Sequence, residues 1–378
     1  ERAVFIYIAA CVIRSVTETN RIYVRPADVL RGQVEVPGDK SVSHRALLFS
    51  ALAKGTSCIR NLAPGADVQS TASVLQSLGV SIRQEGDSVV VEGTGRAGFM
   101  APTGPLDCGN SGTTMRLMMG MLAGTGFESV LIGDESLSSR PMARIADPLR
   151  QMGLEVELTP EGTAPIRLRG MQPRPIHWTS RVASAQVKSA ILLAGLAAPG
   201  WTSVMEPARS RDHTERLLRQ MGVPLEVQDN RVALHGPSHL SSVSELLVPG
   251  DLSSAAFWLV AGLLRGDDLR VRNVGLNPTR TGVLDALAAM GATLEVKRHE
   301  SSLEPMGDIV VRRQPLVGTT LAGDLVVRAI DEIPILAVLA TQAQGRTVIR
   351  DASELRVKEC DRITAMVRML QAMGANIS

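Results

Sequence analysis

Residues 34–45, VEVPGDKSVSHR, place Lys40, Ser41, His44 and Arg45 after a Pro-Gly break and at the mouth of an apolar helical run, ALLFSALA. A helix N-terminus already carries partial positive charge, so cations there are unfavourable unless something negative joins them. Helix N–H groups, a hydroxyl and two cations converging on one point suit a phosphate or a carboxylate. A solvated basic turn is the plain alternative.

The same format, a basic residue beside Gly, Ser, Thr or Pro at a helix start, recurs along the chain. CGNSGTTMR (108–116) is a glycine-rich turn leading into a Met-rich helix; its backbone N–H groups, around Gly112, can form a nest for an anion. The run of methionines is read as core packing. DESLSSRP presents Arg140 at a helix start fixed by Pro141. SAQVKS opens a further helix with Ser184, Gln186 and Lys188, and SRDHTE repeats the device at Arg211, with a capping box around Thr214 as its structural alternative. RVKECDR puts Lys358 and Arg362 four residues apart, on one helical face, with Glu359 beside them. Any one of these reads as a solvated helix start. Together, in a chain of net charge +2, they predict a ligand carrying several negative charges.

Carboxylates are sparser. Asp331 and Glu332 stand at the edge of the apolar segment IPILAVLA. Burial raises a carboxyl pKa and neighbouring cations lower it, so a general base or acid is expected there, with a helix cap at Asp331 as the alternative.

What must hold these residues in place is legible as an internal repeat. LQSLGVSI, LRQMGLEV, LRQMGVPL, LAAMGATL and LQAMGANI begin at Leu75, Leu149, Leu218, Leu287 and Leu370. Each predicts a helix ending on a left-handed Gly, followed by a strand. In the first four, a second strand follows: SVVVEG, PIRLRG, RVALHG and DIVVR. The units are therefore small α/β subdomains, several per domain. The seam Val36-Pro-Gly-Asp39 is matched by Val248-Pro-Gly-Asp251. The pair predicts a chain that leaves one domain near residue 38 and returns near 249. The expected domains are 21–38 plus 250–378, discontinuous, and 39–249, with 1–20 an irregular N-terminal extension. The fifth repeat stops inside its first strand and the chain begins at Glu1, so a fragment with an incomplete C-terminus is expected.

Composition excludes much. Apolar residues make up 44%, charged 21% and aromatic only 3%, which argues against a base-stacking surface and for an ordinary globular chain. Four scattered cysteines without a C-x-x-C pair suit a reduced cytoplasmic protein. The apolar run at residues 3–13 is too short to span a bilayer. Gly93-Thr-Gly-Arg-Ala-Gly98 fits G-x-G-x-x-G but leads into FMAPTGP rather than a helix, so no dinucleotide site is expected. Residues 32–41 lack the Gly-Lys pair of a P-loop. His235 and His239, split by Gly-Pro, are expected in a loop and not as metal ligands.

Seven stretches, PGDKSVSHRA, GNSGTTMRL, SRPM, SAQVKSAILLAGL, SRDHTE, IDEIPILAV and LRVKECDR, resemble in this order the enolpyruvylshikimate-phosphate synthases (3-phosphoshikimate 1-carboxyvinyltransferases). The likeness runs from about residue 22 to the end, and AQVKSA and RDHTE are similar to the bacterial class II branch. It implies an α/β, two-domain, inside-out fold of repeated βαβαββ units, three per domain, closing like jaws on substrate. It implies transfer of the enolpyruvyl group of phosphoenolpyruvate to the 5-hydroxyl of shikimate 3-phosphate, by a cytoplasmic monomer with no metal or organic cofactor, and inhibition by glyphosate.

By resemblance, Ser41 and Arg45 hold the shikimate ligand and Lys40 reaches both substrates. Gly112, Arg140, Lys358 and Arg362 serve phosphoenolpyruvate or shared contacts, Ser184 serves the shikimate phosphate, and Gln186 lies between the ligands. Asp331 takes the hydroxyl proton, and Glu359 or Lys40 protonates the donor. The family's Asp-His-Arg segment and late Lys have no counterpart in these 378 residues, which puts part of the donor site in question. Two other readings are a UDP-N-acetylglucosamine enolpyruvyl transferase, whose Lys-Asn opening and loop Cys have no match in this chain, and an inactive binding remnant.

Overall fold

The computed structural model describes residues 5–8, 11–15, 22–300, 304–356 and 360–378. These fall into two compact units. One holds the described residues up to Pro37, those from Pro249 to 300, and Pro305–Ser378; the other holds Gly38–Val248 together with Glu304.

The repeat is built on one helix terminus used five times. Gly79, Gly153, Gly222, Gly291 and Gly374 have φ of +87°, +90°, +85°, +88° and +88°. After each, the next residue's N–H donates to the carbonyl of the leading Leu (Leu75, Leu149, Leu218, Leu287, Leu370) at 2.9–3.1 Å. The glycine N–H itself donates to the carbonyl three residues back, at 2.9–3.1 Å in each copy. This is the Schellman closure, and only Gly enters it without a Cβ penalty. It turns the chain sharply from helix to strand, which is why each of the first four copies continues as a hairpin.

In the Gly38–Val248 unit lie α1 (Lys40–Leu52), α2 (Ala66–Ser77), α3 (Gly112–Met121), α4 (Glu135–Ser138), α5 (Ala143–Gln151), α6 (Ala185–Gly195) and α7 (His213–Gln220). Strand Leu106–Asp107, α3, strand Glu128–Ile132, α4 and α5, and the hairpin Glu155–Glu157/Ile166–Arg169 make one βαβαββ unit, its first two strands parallel. His177–Thr179, α6, Gly200–Met205, α7 and the hairpin Leu225–Gln228/Arg231–Gly236 make a second. The third is permuted: Glu245–Leu247, late in the chain, lies parallel to Ala53–Arg60, which pairs with the hairpin Ser81–Glu85/Ser88–Thr94. The buried faces of α1, α3 and α6 (Phe49, Met115, Met118, Met119, Ile191, Leu192 among them) share one apolar core. The methionine run is therefore packing, as its spacing indicates.

In the other unit, Leu30–Glu35 pairs in parallel with Gly266–Gly275, which is followed by α9 (Gly282–Ala289) and the hairpin Glu295–His299/Met306–Val311; α8 (Leu252–Arg265) precedes it. Here too one strand of the βαβαββ unit is separated in sequence from the rest. The parallel strands Thr320–Leu321 and Val348–Ile349, with α10 (Asp324–Arg328), α11 (Ile333–Ala340) and α12 (Arg362–Ala372), follow. The matched Pro-Gly-Asp seams share a local cause: Asp39 accepts from Val42 N at 2.9 Å to cap α1, and Asp251 accepts from Ser253 N and Ser254 N at 3.3 and 3.1 Å to cap α8.

Two expectations need correction. The apolar N-terminal run is not an irregular extension: Phe5–Ile8, Cys11–Ser15 and Ile22–Pro26 form an antiparallel three-stranded sheet. A segment rich in β-branched residues satisfies its backbone in a meander, which length and hydropathy alone did not separate from coil. His235 lies on the strand Arg231–Gly236, its ring edge-on to Trp201 at 5.4 Å, and not in a loop. Gly93–Gly98 ends in a short 3₁₀ turn, Arg96–Gly98, and opens no α-helix, and among the described residues no helix is long and apolar enough to cross a membrane.

Candidate active site

At the N-terminus of α1 the two cations behave differently. Lys40 stays outside, 58% exposed, and its ammonium lies 3.0 Å from Asp67 in the first turn of α2. Arg45 turns inward. It donates to Thr214 Oγ1 (Nε, 2.7 Å), to the Ser41 carbonyl (2.9 Å) and to Ser189 Oγ (2.8 Å), tying α1 to α6 and α7. Burial pulls its pKa down to about 10, so it remains charged at neutrality. Thr214 is engaged in this tie and does not form the capping box that was the structural alternative; Asp212 precedes α7 without a side-chain cap bond. Ser41 is half-buried beside Lys40.

His44 is fully buried, its Nδ1 2.7 Å from Thr71 Oγ1, and burial, helped by Lys40, pushes its pKa from 6.5 down to about 3. A histidine held neutral in the fold charges only on unfolding, so its contribution is complete above about pH 6.5 and is lost as pH falls toward 3. Between pH 7 and 5.5 the wild type should lose about 1 kcal/mol more unfolding free energy than His44→Gln. Denaturant unfolding at both pH values checks this, and equal losses would refute the neutral imidazole.

A second constellation surrounds Gly112, the first residue of α3, where Ser111 caps by accepting from Thr114 N. A Cβ placed on Gly112 would stand 3.3 Å from Arg140 Nη1 and 3.4 Å from Arg116 Nη1. Two guanidinium ends thus flank a bare backbone at a helix N-terminus. Arg140 is held by Asn110 Oδ1 (2.6 Å) and Ser136 Oγ (3.1 Å), and Asn110 also donates to Asp134 Oδ2 (2.6 Å). That bond, with the α4 N–H of Leu137, keeps the Asp134 carboxyl below its ordinary range. Arg116 donates to Gln186 Oε1 at 2.8 Å, and Gln186 Nε2 donates to Thr113 Oγ1 at 3.0 Å. Gly112, Arg116, Arg140 and Gln186 are therefore brought together. Arg140 precedes the helix it was expected to start: α5 begins at Ala143, after Pro141 and Met142. Arg116 was missed as a site residue, although its i+4 spacing from Gly112 puts both on one helical face. Ser184 caps α6, accepting from Val187 N at 3.4 Å. Cys108, just before this turn, is no nucleophile, since burial pushes its thiol pKa up to about 12.

In the other unit, Asp331 is not a helix cap; Glu332 occupies that position for α11, without a side-chain cap bond. The Asp331 carboxylate, 25% exposed, lies 3.3 Å from Arg362 Nη1 and 3.9 Å from Arg280 Nη1. Arg280, 5% exposed, also meets Glu332 at 3.5 Å, Asp251 at 3.4 Å and Ser253 Oγ at 2.8 Å. Arg362 opens α12, which Asp361 caps through Thr364 N at 3.0 Å. Of the face expected to join Lys358 to Arg362, only Arg362, the first residue of α12, is described. Lys358 and Glu359 lie outside the described residues.

Comparison with known proteins gives one answer. The family model "EPSP synthase (3-phosphoshikimate 1-carboxyvinyltransferase)" matches residues 24–378. Proteins named 3-phosphoshikimate 1-carboxyvinyltransferase from Geobacillus kaustophilus and Gloeobacter violaceus are 53% and 54% identical, over 92% and 94% of this chain and 82% and 83% of theirs. An EPSP synthase structure from Acinetobacter baumannii, 45% identical, covers 91% of this chain and 78% of its own, with TM-score 0.82. The enolpyruvyl transferase NikO of Streptomyces tendae shares the fold at 20% identity, over 86% of this chain and 76% of its own, with TM-score 0.67.

Proposed function

The chain belongs to the EPSP synthase family, and from this membership we infer that it transfers the carboxyvinyl group of phosphoenolpyruvate to the 5-hydroxyl of shikimate 3-phosphate, releasing phosphate. The observation that supports this most strongly within the chain is the pair of guanidinium ends flanking Gly112 at the start of α3, a natural seat for a small dianion. We assign Gly112 and Arg140 to phosphoenolpyruvate, together with Lys358 and Arg362. Ser41, Ser184 and Arg45 serve shikimate 3-phosphate, Gln186 lies between the ligands, and Lys40 serves both. Arg45 directs three of its five N–H donors to Thr214, Ser189 and Ser41, which fixes its guanidinium in this corner.

The chemistry is an addition followed by an elimination. Asp331 accepts the 5-hydroxyl proton as that oxygen attacks C2 of phosphoenolpyruvate. Glu359 or Lys40 delivers a proton to C3, giving a tetrahedral ketal. The C3 proton then leaves, the C2–O bond to phosphate breaks, and the departing phosphate takes up a proton. Lys40 and the arginines stabilise the charge concentrated on phosphates and carboxylate. The proposal extends to a cytoplasmic monomer that uses small molecules alone, without nucleic acid, membrane or added cofactor; the near-neutral charge and scattered cysteines support it. Phosphate release tests the assignment: it should require phosphoenolpyruvate and shikimate 3-phosphate together. Release driven by UDP-N-acetylglucosamine would overturn it.

Gly112→Ala should separate substrate from inhibitor. The added methyl must displace two guanidinium ends by a few tenths of an ångström. Glyphosate, longer than the donor, should lose about 1–3 kcal/mol by this overpacking, and phosphoenolpyruvate less. Inhibition and Michaelis constants for both variants decide it, and equal losses would remove Gly112 from the donor pocket.

A further inference from the structure

Beneath the α6 cap lies a buried charge cluster that the addition and elimination steps do not use. Lys188, 2% exposed, sits in the first turns of α6, where its charge opposes the helix dipole. Its ammonium is met by two carboxylates, Glu206 Oε2 at 3.0 Å and Glu215 Oε1 at 2.7 Å, which are 4% and 5% exposed. The two acids have different neighbours. Glu215 Oε2 has no hydrogen-bond partner among the described residues. Glu206 has a full set: Oε1 accepts from Ser184 N at 2.9 Å, and Oε2 accepts from Ser210 N at 3.4 Å and Ser210 Oγ at 2.8 Å. One carboxylate therefore grips the capping residue of α6 and the loop ahead of α7 together.

We propose that Glu206, clamped by Lys188, is a positioning residue for the shikimate 3-phosphate site: it fixes the Ser184 backbone, and with it the hydroxyl, where the acceptor phosphate is bound. This rests on the assignment of Ser184 to that phosphate. A buried lysine with one carboxylate would suffice for stability alone. Two carboxylates, of which one is bonded to the backbone of a ligand-binding residue, point to alignment as the second purpose. The cost of an inexact site is large when a dianion must be met by fixed donors, because its solvation is lost on binding.

Glu206→Gln and Glu215→Gln form a matched pair, since each removes one carboxylate from the same lysine. Both should lower the melting temperature. Only Glu206→Gln should raise the dissociation constant and KM for shikimate 3-phosphate, by about tenfold for a weakened charge-assisted bond at the cap. Its kcat and its KM for phosphoenolpyruvate should change less than about twofold, the pattern of lost uniform binding. If Glu206→Gln does not fold, Glu206→Asp, which keeps a carboxylate beside Lys188 but shortens its reach to Ser184 N, carries the same expectation. Equal acceptor constants for wild type and Glu206→Gln, or equal rises in both variants, overturn the inference while leaving the assigned reaction intact. Failure of the wild type to bind shikimate 3-phosphate at all overturns the assigned reaction and this inference with it.

Discussion

Lys40→Met should reduce turnover by at least about 10²–10³-fold, the loss that follows removal of one preorganised donor from a developing charge. It should do so while leaving the fold in place. The Lys40 side chain is 58% exposed, and its ammonium pairs with Asp67 at 3.0 Å. An exposed pair of this kind contributes about 0–1 kcal/mol, so the melting temperature should move by no more than about 2 °C. The contrast with Arg45 sharpens the test. Arg45 is buried and bonded to three groups on α1, α6 and α7, so its loss should appear first as unfolding. Steady-state rates and circular dichroism on both variants separate the two roles, and near-normal turnover in Lys40→Met would remove it from the site.

Asp331→Asn should cost about 10²–10⁴-fold in kcat, the usual span for a missing general base. The amide keeps the shape of the side chain but cannot take the hydroxyl proton. Structural damage should stay modest, because Arg280 retains Glu332 at 3.5 Å and Asp251 at 3.4 Å. Binding of both substrates should persist within a few-fold, so the loss belongs to the chemical step. A variant that loses affinity and keeps its rate would show Asp331 to be a ligand contact and not the base.

The fold was legible where the signal was local. Five Leu-x-x-Leu/Met-Gly copies announced five Schellman turns, and the two Pro-Gly-Asp seams announced two capped helices, because each device lies within six residues. The basic stretches proposed to bind anions were legible for the same reason. What stayed hidden depends on residues far apart. Glu206 reaches Ser184 across 22 positions, and Lys40 reaches Asp67 across 27. No spacing announces such pairs. The inward turn of Arg45 was hidden too, since it is set by Thr214 and Ser189 on other helices. Arg116 could have been found from its spacing to Gly112, and was overshadowed by the methionines beside it.

The most direct test of addition followed by elimination is turnover in deuterium oxide. Protonation of C3 makes a transient methyl group, so both the product and the recovered phosphoenolpyruvate should carry deuterium in the vinyl CH₂ group, seen by proton NMR. The label should enter only when shikimate 3-phosphate is present, and should vanish with Asp331→Asn. Product formed with its vinyl protons undiluted would contradict the ketal route and the proton-transfer roles of Asp331, Glu359 and Lys40.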